Sequence, residues 1–169
     1  MKECFFCQIY KDKIDNTNLV NKIVYWGKNF YIRFDNVPVS PGHLEIVANR
    51  HMKSLADLDL GEWGELRTLI KKAIKIIEST NFEGLYKKFL KGADNKIFKH
   101  YAEEMLRSKV VGKKPAGYNI GVNEGLAGGQ TVPHLHIHII PRHKGDVLDP
   151  TGGVRNIIPK LGNYKKLIK

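Results

Sequence analysis

The chain has 169 residues, the length of one compact domain, and 42% of them are hydrophobic while 27% are charged. This composition excludes disordered and collagen-like chains, and two cysteines are too few to form a disulfide scaffold of this size. No stretch approaches the roughly 18 to 20 apolar residues of a membrane helix, and the first residues lack the apolar segment of a signal peptide. We therefore expect one soluble, cytoplasmic domain over residues 1–169, without membrane association.

The net charge of +11 is unevenly distributed along the chain. Residues 84–114 carry nine lysines and arginines against three acids, a net charge of +6, and residues 160–169 add four lysines and no acid. The remainder is almost neutral, so the pI alone does not indicate a nucleic-acid-binding protein. We interpret residues 84–114 as a basic insertion and residues 160–169 as a basic tail, which either steer anionic substrates or only form a solvated surface.

Five runs rich in β-branched and aromatic residues predict strands. These runs cover residues 19–26, 29–35, 43–48, 118–123 and 131–141. Between the third and fourth runs, apolar residues at three- and four-residue spacings predict a main helix over residues 60–80, and Ser54 is expected to cap a short turn before it. Two further helical pieces are expected within residues 84–109, broken at Gly92 and with Asp94 as a cap. Strands on both sides of one helical block predict an α+β domain with an antiparallel sheet.

Two cysteines, Cys4 and Cys7, stand three positions apart near the start of the chain. A Cys-x-x-Cys pair in a reducing compartment is typical of a metal clip or a redox pair. The βαβ pattern expected around a thioredoxin-like redox pair is missing, so we favour zinc, which requires two more ligands for a closed tetrahedral site. Simple burial of the two thiols is the alternative.

Three histidines, His134, His136 and His138, alternate with apolar residues. Because side chains alternate along a strand, we expect the three imidazoles on one face and the intervening apolar residues on the other. At about 3.3 Å per residue, His134 and His138 are roughly 13 Å apart, too far for one zinc ion with bonds of about 2.0 to 2.1 Å to take all three rings. At least one ring is left for another role, and a neutral imidazole is a competent nucleophile or general base near neutral pH.

A glycine-containing loop at residues 123–131 leads directly into this histidine segment. Such loops present backbone N–H groups and small polar side chains to anions, so we expect a phosphate here, although the glycines could also serve only to build a turn. The chain has neither a P-loop motif nor a G-x-G-x-x-G motif after its first strand, so neither a P-loop NTPase nor a Rossmann enzyme is indicated.

The segment GQTVPHLHIHIIPR at residues 129–142 resembles the signature of the histidine-triad (HIT) superfamily of nucleotide hydrolases and transferases. The other similar segments are residues 4–9, 35–43, 49–51, 145–147 and 149–155, of which the last two resemble the fragile-histidine-triad branch that acts on dinucleoside polyphosphates. The resemblance covers most of residues 1–80 and 117–158, and it leaves the role of the insertion open. It implies a HIT-like α+β fold with a five-stranded antiparallel sheet, one main helix and, in this chain, a helical insertion.

The resemblance also implies roles for individual residues. His136 matches the nucleophile that attacks the α-phosphorus and forms a nucleotidyl-histidine intermediate, which water or another acceptor resolves. By the same matching, His138 and Thr131 contact the phosphate, and Gln130 helps to orient the phosphate or the leaving group. The remaining substrate contacts implied are Asp35 at the ribose hydroxyls, Asn123 in the wall of the site, and Phe5, Phe6 and Ile9 around the base. These three apolar residues are nearly as compatible with packing in the core.

Some members of the superfamily hold a zinc ion with a cysteine pair, a histidine and the first triad histidine. The matching residues in this chain are Cys4, Cys7, His51 and His134. Four protein ligands leave no open position on the metal, so this zinc would be structural. The resemblance further implies a homodimer that shares a continuous sheet.

The leading hypothesis is an enzyme that cleaves the α-phosphate bond of a nucleoside substrate, such as a dinucleoside polyphosphate, and releases a nucleoside monophosphate. Adenosine phosphoramidate hydrolysis and dinucleoside polyphosphate phosphorolysis are the alternatives within the enzyme class. A zinc-stabilised protein that binds nucleic acid or a protein partner through its lysines is the alternative from a different class, although no nucleic-acid-binding motif is recognised. The sequence does not specify the base, the number of phosphates or the leaving group.

Overall fold

The computed structural model describes residues 4–11, 22–93, 95–158 and 162. The strands in these residues are β1 (Ile23–Trp26), β2 (Phe30–Phe34), β3 (Leu44–Ala48), β4 (Gly117–Gly121) and β5 (His136–Arg142). They form one antiparallel sheet in the order β1-β2-β3-β5-β4. The predicted α+β class with a five-stranded antiparallel sheet is confirmed.

Four α-helices and two 3₁₀-helices accompany the sheet in the described part of the chain. They are α1 (Phe5–Lys11), α2 (Leu60–Ser79), α3 (Phe82–Gly92), α4 (Lys96–Arg107) and the 3₁₀-helices Leu55–Asp57 and Gly153–Ile157. The predicted main helix corresponds to α2, which begins after a capping box between Asp59 and Glu62. The predicted Ser54 cap is also present, before the first 3₁₀-helix. Among the described residues, none of the helices combines the length and the apolar character that crossing a membrane requires.

The insertion contains two helices, as predicted, with α3 ending at Gly92. Asn95 caps α4 by accepting from the backbone N–H groups of its first turn. The expected cap, Asp94, lies outside the described residues, as do residues 19–21 of the first expected strand and, apart from Gly162, the basic tail at residues 160–169. Helix α1 was not predicted, because its seven residues are too few to show a helical period.

The histidine segment differs from the expected strand at its start. β5 begins at His136 rather than at residue 131, so His134 precedes the strand. Pro133 has no N–H to donate to a sheet ladder, and the backbone N–H of His134 donates locally to Val132 O at 2.7 Å. The first histidine is thus released from the strand geometry that aligns the other two.

The two faces of the sheet are covered by different helices. Helices α2, α3 and α4 pack on the face that carries Leu135, Ile137 and Ile139, and this contact forms the main hydrophobic core. The buried positions of α2 in this core are Leu66, Leu69, Ala73 and Ile77, which recur at the spacing of one helix face. The short helix α1 covers the opposite face in part, and alternation along β5 places His136 and His138 on that face.

Candidate functional site

The two cysteines and two of the histidines meet at one point beside α1. Their ligand atoms all lie within 4.8 Å of one another. Cys4 Sγ is 3.4 Å from His134 Nδ1, and Cys7 Sγ is 3.3 Å from His51 Nδ1 and 3.5 Å from His134 Nδ1. Ligand atoms around a tetrahedral zinc ion with bonds of about 2.0 to 2.3 Å are separated by roughly 3.3 to 3.8 Å. The four residues therefore fit a zinc ion in both chemistry and spacing.

His134 is held in the tautomer that leaves its Nδ1 able to bind a metal ion. Its side chain is fully buried, and its Nε2 donates to Ala48 O at 2.7 Å, which leaves the Nδ1 lone pair directed at the cysteines. Burial lowers the pKa of His134 to about 4, so the ring is neutral at pH 7.

His136 is the first residue of β5 and is buried beneath Phe6, whose ring centroid lies 5.1 Å from the imidazole centroid. Its Nδ1 donates to the backbone carbonyl of His134 at 2.7 Å. Because this bond places the proton on Nδ1, the other ring nitrogen, Nε2, keeps its lone pair. In the neutral ring of the residue matched to the nucleophile, the nitrogen with the lone pair is thus Nε2 rather than Nδ1.

His138 belongs to a chain of three polar side chains that the sequence analysis did not identify as a unit. His43 Nε2 lies 3.0 Å from His138 Nδ1, and His43 Nδ1 lies 3.3 Å from an Asp35 carboxylate oxygen. Since a carboxylate only accepts, it favours the proton on His43 Nδ1, so that His43 Nε2 accepts from His138. Burial and the neighbouring His43 lower the pKa of His138 to about 4, and burial also lowers the pKa of His43, which keeps both rings neutral at pH 7.

The turn between β2 and β3 positions two of these three side chains, Asp35 and His43. The Asp35 N–H donates to His43 O at 3.0 Å, and the other Asp35 carboxylate oxygen accepts from the Val37 N–H at 2.8 Å. His43 was missed as a site residue because its partner on β5 is distant in sequence. The available signal was the hairpin between two predicted strands, which places residues 35 and 43 opposite each other.

Gln130 anchors the glycine-containing loop. Its side-chain nitrogen donates to Lys53 O at 2.8 Å, and its side-chain oxygen accepts from the Gly125 N–H at 3.0 Å. Glu124 ties the same loop to the first 3₁₀-helix by accepting from the Ser54 hydroxyl and the Leu55 N–H. The loop before β5 is therefore fixed to the chain segment that follows His51.

The other residues expected to line the substrate site differ in their exposure to solvent. Thr131 and Asn123 are exposed at the entrance to β5. Phe6 and Ile9 are buried in the small cluster under α1, whereas Phe5 is 41% exposed. Only Phe5 among these three thus offers an open ring surface to a ligand.

A buried ion pair, which the sequence analysis also missed, lies in the same row of the sheet as His138. The Arg33 guanidinium donates to the Glu45 carboxylate, and the sheet register aligns Arg33 with Glu45 and Glu45 with His138. Both charged side chains are almost fully buried. A charged residue in the middle of each apolar strand was the signal for this pair.

The sequence matches the HIT domain family over residues 16–145. It is 30% identical over 142 residues to the AP-4-A phosphorylase of Mycobacterium tuberculosis, covering 82% of this chain and 56% of that protein. It is also 30% identical over 128 residues to the asymmetrical bis(5'-nucleosyl)-tetraphosphatase of Schizosaccharomyces pombe, covering 75% of this chain and 53% of that protein. The chain therefore spans about half the length of these curated relatives.

A solved structure of a zinc-bound histidine triad family protein from Mycobacterium smegmatis has a similar fold. It superposes with a TM-score of 0.54 at 22% identity, covering 87% of this chain and 80% of that chain. At this level of identity the likeness shows the shared fold.

Proposed function

The chain belongs to the HIT domain family, and on that premise we propose that it is an enzyme that cleaves the α-phosphate bond of a nucleoside substrate, such as a dinucleoside polyphosphate. The observation that carries this proposal is the hydrogen bond from His136 Nδ1 to the His134 carbonyl. It fixes the ring so that Nε2 keeps the lone pair that an attack on phosphorus requires.

The reaction has two steps on this geometry. His136 Nε2 forms a bond to the α-phosphorus while the bond from phosphorus to the leaving oxygen breaks, and the leaving group keeps that electron pair. Water or another acceptor then attacks the nucleotidyl-histidine, the nitrogen–phosphorus bond returns its electrons to His136, and the nucleoside monophosphate is released. Splitting one displacement into two lowers the barrier of each step.

The remaining residues hold the substrate for this chemistry. His138, oriented by His43, and Thr131 contact the α-phosphate, and the loop anchored by Gln130 presents backbone N–H groups to it. The two Asp35 carboxylate oxygens retain lone pairs for the ribose hydroxyls after accepting from Val37 and His43. Asn123 lines the wall of the site, Phe5 offers its exposed ring to the base, and Phe6 and Ile9, which were also expected around the base, lie buried in the cluster under α1.

Zinc is the proposed ion for Cys4, Cys7, His51 and His134. When bound, it supplies a structural link between α1, the end of β3 and the segment before β5, with no coordination position left for substrate. The ligands require thiolates, which suits a reducing compartment, and we extend the proposal to a cytoplasmic location on that ground.

A homodimer is the proposed assembly. β4 is an edge strand in the described sheet, with one side unpaired, and a second copy of the chain would extend the sheet by pairing there. Light scattering at micromolar concentration tests this assembly, and a strictly monomeric mass contradicts it.

Product analysis distinguishes hydrolysis from the two alternatives. Diadenosine tetraphosphate and adenosine 5'-phosphoramidate should be incubated with the protein in water enriched in ¹⁸O, with and without inorganic phosphate. Hydrolysis yields AMP that contains ¹⁸O, whereas phosphorolysis yields ADP only when phosphate is present. Release of no nucleotide product from either substrate by folded, zinc-loaded protein contradicts the proposed function.

A further inference from the structure

The buried ion pair between Arg33 and Glu45 lies beside two histidines of the proposed reaction. The sheet register pairs Glu45 with His138, and alternation along β5 places His136 on the same face. One carboxylate oxygen of Glu45 and one ring nitrogen of each histidine all lie within 4.8 Å of one another. A buried acid is therefore a direct neighbour of the proposed nucleophile.

The ion pair is oriented with its negative end towards the histidines. Arg33 is on β2, and β3, which carries Glu45, lies between β2 and β5. Because neighbouring strands are about 4.8 Å apart, the guanidinium is one strand further from the His136 ring than the carboxylate is. Arg33 therefore cancels only part of the field that the carboxylate exerts on that ring.

Both members of the pair are charged. Burial raises the pKa of the Glu45 carboxyl, and contact with Arg33 opposes that shift. An arginine keeps its proton throughout the physiological pH range, and a buried guanidinium without a counter-charge would strongly destabilise the fold. Glu45 is the acid that accepts from the Arg33 guanidinium, so the ionised carboxylate is the form that folding favours.

One aromatic ring covers both the ion pair and the nucleophile. The Phe6 ring centroid lies 5.8 Å from the Arg33 guanidinium carbon and 5.1 Å from the His136 ring centroid. Phe6, Glu45 and His136 are all buried. Charges in such surroundings are screened by water and salt much less than charges on the surface are.

The proposed reaction creates a positive charge at this place. When His136 Nε2 bonds to the α-phosphorus, the bridging oxygen leaves with the electron pair of the broken bond. The proton on Nδ1 stays on the ring, because its partner is the His134 carbonyl, which accepts a hydrogen bond but does not take up the proton. The nucleotidyl-histidine ring is therefore a cation until an acceptor attacks phosphorus and the nitrogen–phosphorus bond returns its electrons to the ring.

We propose that Glu45 is a positioning residue whose carboxylate, held in place by Arg33, stabilises the positive charge that develops on His136 as the nucleotide becomes attached. This inference rests on the proposed function, since the charge arises only if His136 is the nucleophile. A fixed charge that already lies where the opposite charge develops stabilises the transition state without reorganisation. The same interaction is lost when the intermediate breaks down, so Glu45 speeds its formation and slows its breakdown.

The test measures these two steps separately in Glu45→Gln. Formation is followed in a single turnover with protein in excess over diadenosine tetraphosphate, and breakdown is followed after the adenylyl-protein has been separated from free nucleotide. Loss of the carboxylate should slow formation and speed breakdown, so that the rate constant of formation divided by that of breakdown falls about tenfold. A structural role alone does not move the two steps in opposite directions.

Two further variants control for folding. Glu62→Gln makes the same change in a side chain that is also 6% exposed and bonded to an arginine, Arg50, but that lies at the start of α2. Its ratio of rate constants should stay within about twofold of wild type. The double variant Arg33→Gln with Glu45→Gln leaves no buried charge without a partner, so it keeps the fold if the single variant does not, and its ratio should fall at least about threefold.

The outcomes separate the inference from the proposed function. Wild-type protein that forms no adenylyl group at His136 overturns the proposed function, and the inference with it. An adenylyl group that forms on His136, with a ratio of rate constants within about twofold of wild type in both Glu45 variants, overturns the inference alone. Formation and breakdown that slow together in these variants also overturn it, because Glu45 then only maintains the structure.

Discussion

The histidine face of the sheet and the insertion at residues 84–114 are held together by different kinds of interaction. On the histidine face, hydrogen bonds at 2.7 to 3.3 Å connect buried polar side chains, as in the contacts of His136 and of His43. The insertion and the first residues of α3 before it are held by aromatic packing: the rings of Phe82 and Phe89 both contact Phe34 edge-on, with centroids 6.1 Å apart. The first region is an ordered polar network, to which we assign the proposed chemistry, and the second is an aromatic cluster with lysines on its exposed surface.

The two regions meet at Gly42, next to His43. The buried Tyr86 hydroxyl accepts from the Gly42 N–H at 3.0 Å, and a Cβ atom on Gly42 would lie 2.5 Å from the Phe82 ring. Gly42 also has a φ of +85°, which a residue with a side chain rarely adopts. The insertion therefore supports the turn that positions His43, although none of the residues that we propose to act on the α-phosphate lies in it.

The largest expected effect comes from the proposed zinc site, whose ligands lie beside the histidine face of the sheet. Cys7→Ser should lower the free energy of unfolding by more than about 3 kcal/mol, because metal binding and folding are coupled. Urea unfolding and metal analysis measure the effect. A chelator should destabilise wild type to a similar extent and have no further effect on Cys7→Ser, whereas folded wild type without zinc contradicts the account.

The next largest effect is expected from breaking the contacts that connect Asp35 through His43 to His138. His43→Gln should lower kcat by about 10- to 100-fold with little change in KM, since a misoriented His138 weakens contact with the phosphate in the transition state. His100→Gln, on the exposed side of α4, is the matched control and should behave as wild type. A loss confined to KM would show that His43 supports binding only.

A smaller effect is expected where the insertion supports the site. Tyr86→Phe removes the acceptor of the buried Gly42 N–H, which should cost about 1 to 3 kcal/mol of stability, and kcat should fall two- to fivefold as the turn before His43 loosens. Tyr101→Phe makes the same change elsewhere on the insertion and serves as the control. Lost stability with unchanged kcat at a temperature where the variant is folded would limit the insertion to a structural role.

The smallest expected effect is electrostatic steering by the insertion. Replacing the exposed lysines of α3 and α4 by glutamine should lower kcat/KM for diadenosine tetraphosphate less than about threefold, more at low than at high salt, with kcat nearly unchanged. The lysines concerned are Lys87, Lys88, Lys91, Lys96 and Lys99. Identical salt dependence in the variant and wild type would indicate that these residues only solvate the helices.

The features that the sequence predicted are those that a local pattern of residues specifies. Runs rich in β-branched and aromatic residues predicted the five strands, and apolar residues at helical spacing predicted α2, because these local patterns follow from strand propensity and from packing on an apolar face. The family resemblance implied one set of metal ligands. The structure brings the ligand atoms of that set, Cys4, Cys7, His51 and His134, within 4.8 Å of one another.

The features that were missed depend on contacts between distant parts of the chain. The link from His43 to His138 spans 95 positions, and the Arg33–Glu45 pair is recognisable only when the register of β2 and β3 is known. The support of Gly42 by Tyr86 likewise depends on how α3 docks against the sheet, which helical periodicity does not specify. Pro133 was visible in the sequence, but its effect on the start of β5 required the backbone bonds around it.

The central claim is that His136 becomes covalently bonded to the nucleotide, and trapping this intermediate tests it most directly. Wild-type protein is mixed with diadenosine tetraphosphate, quenched within milliseconds, and examined by intact-mass and peptide mass spectrometry under conditions that preserve phosphoramidate bonds. We predict a mass increase of one adenylyl group on the peptide that contains residues 134–142, located at His136 and absent in His136→Ala, which should show no measurable turnover. An adenylyl group on another residue, or full turnover by His136→Ala, would contradict the account.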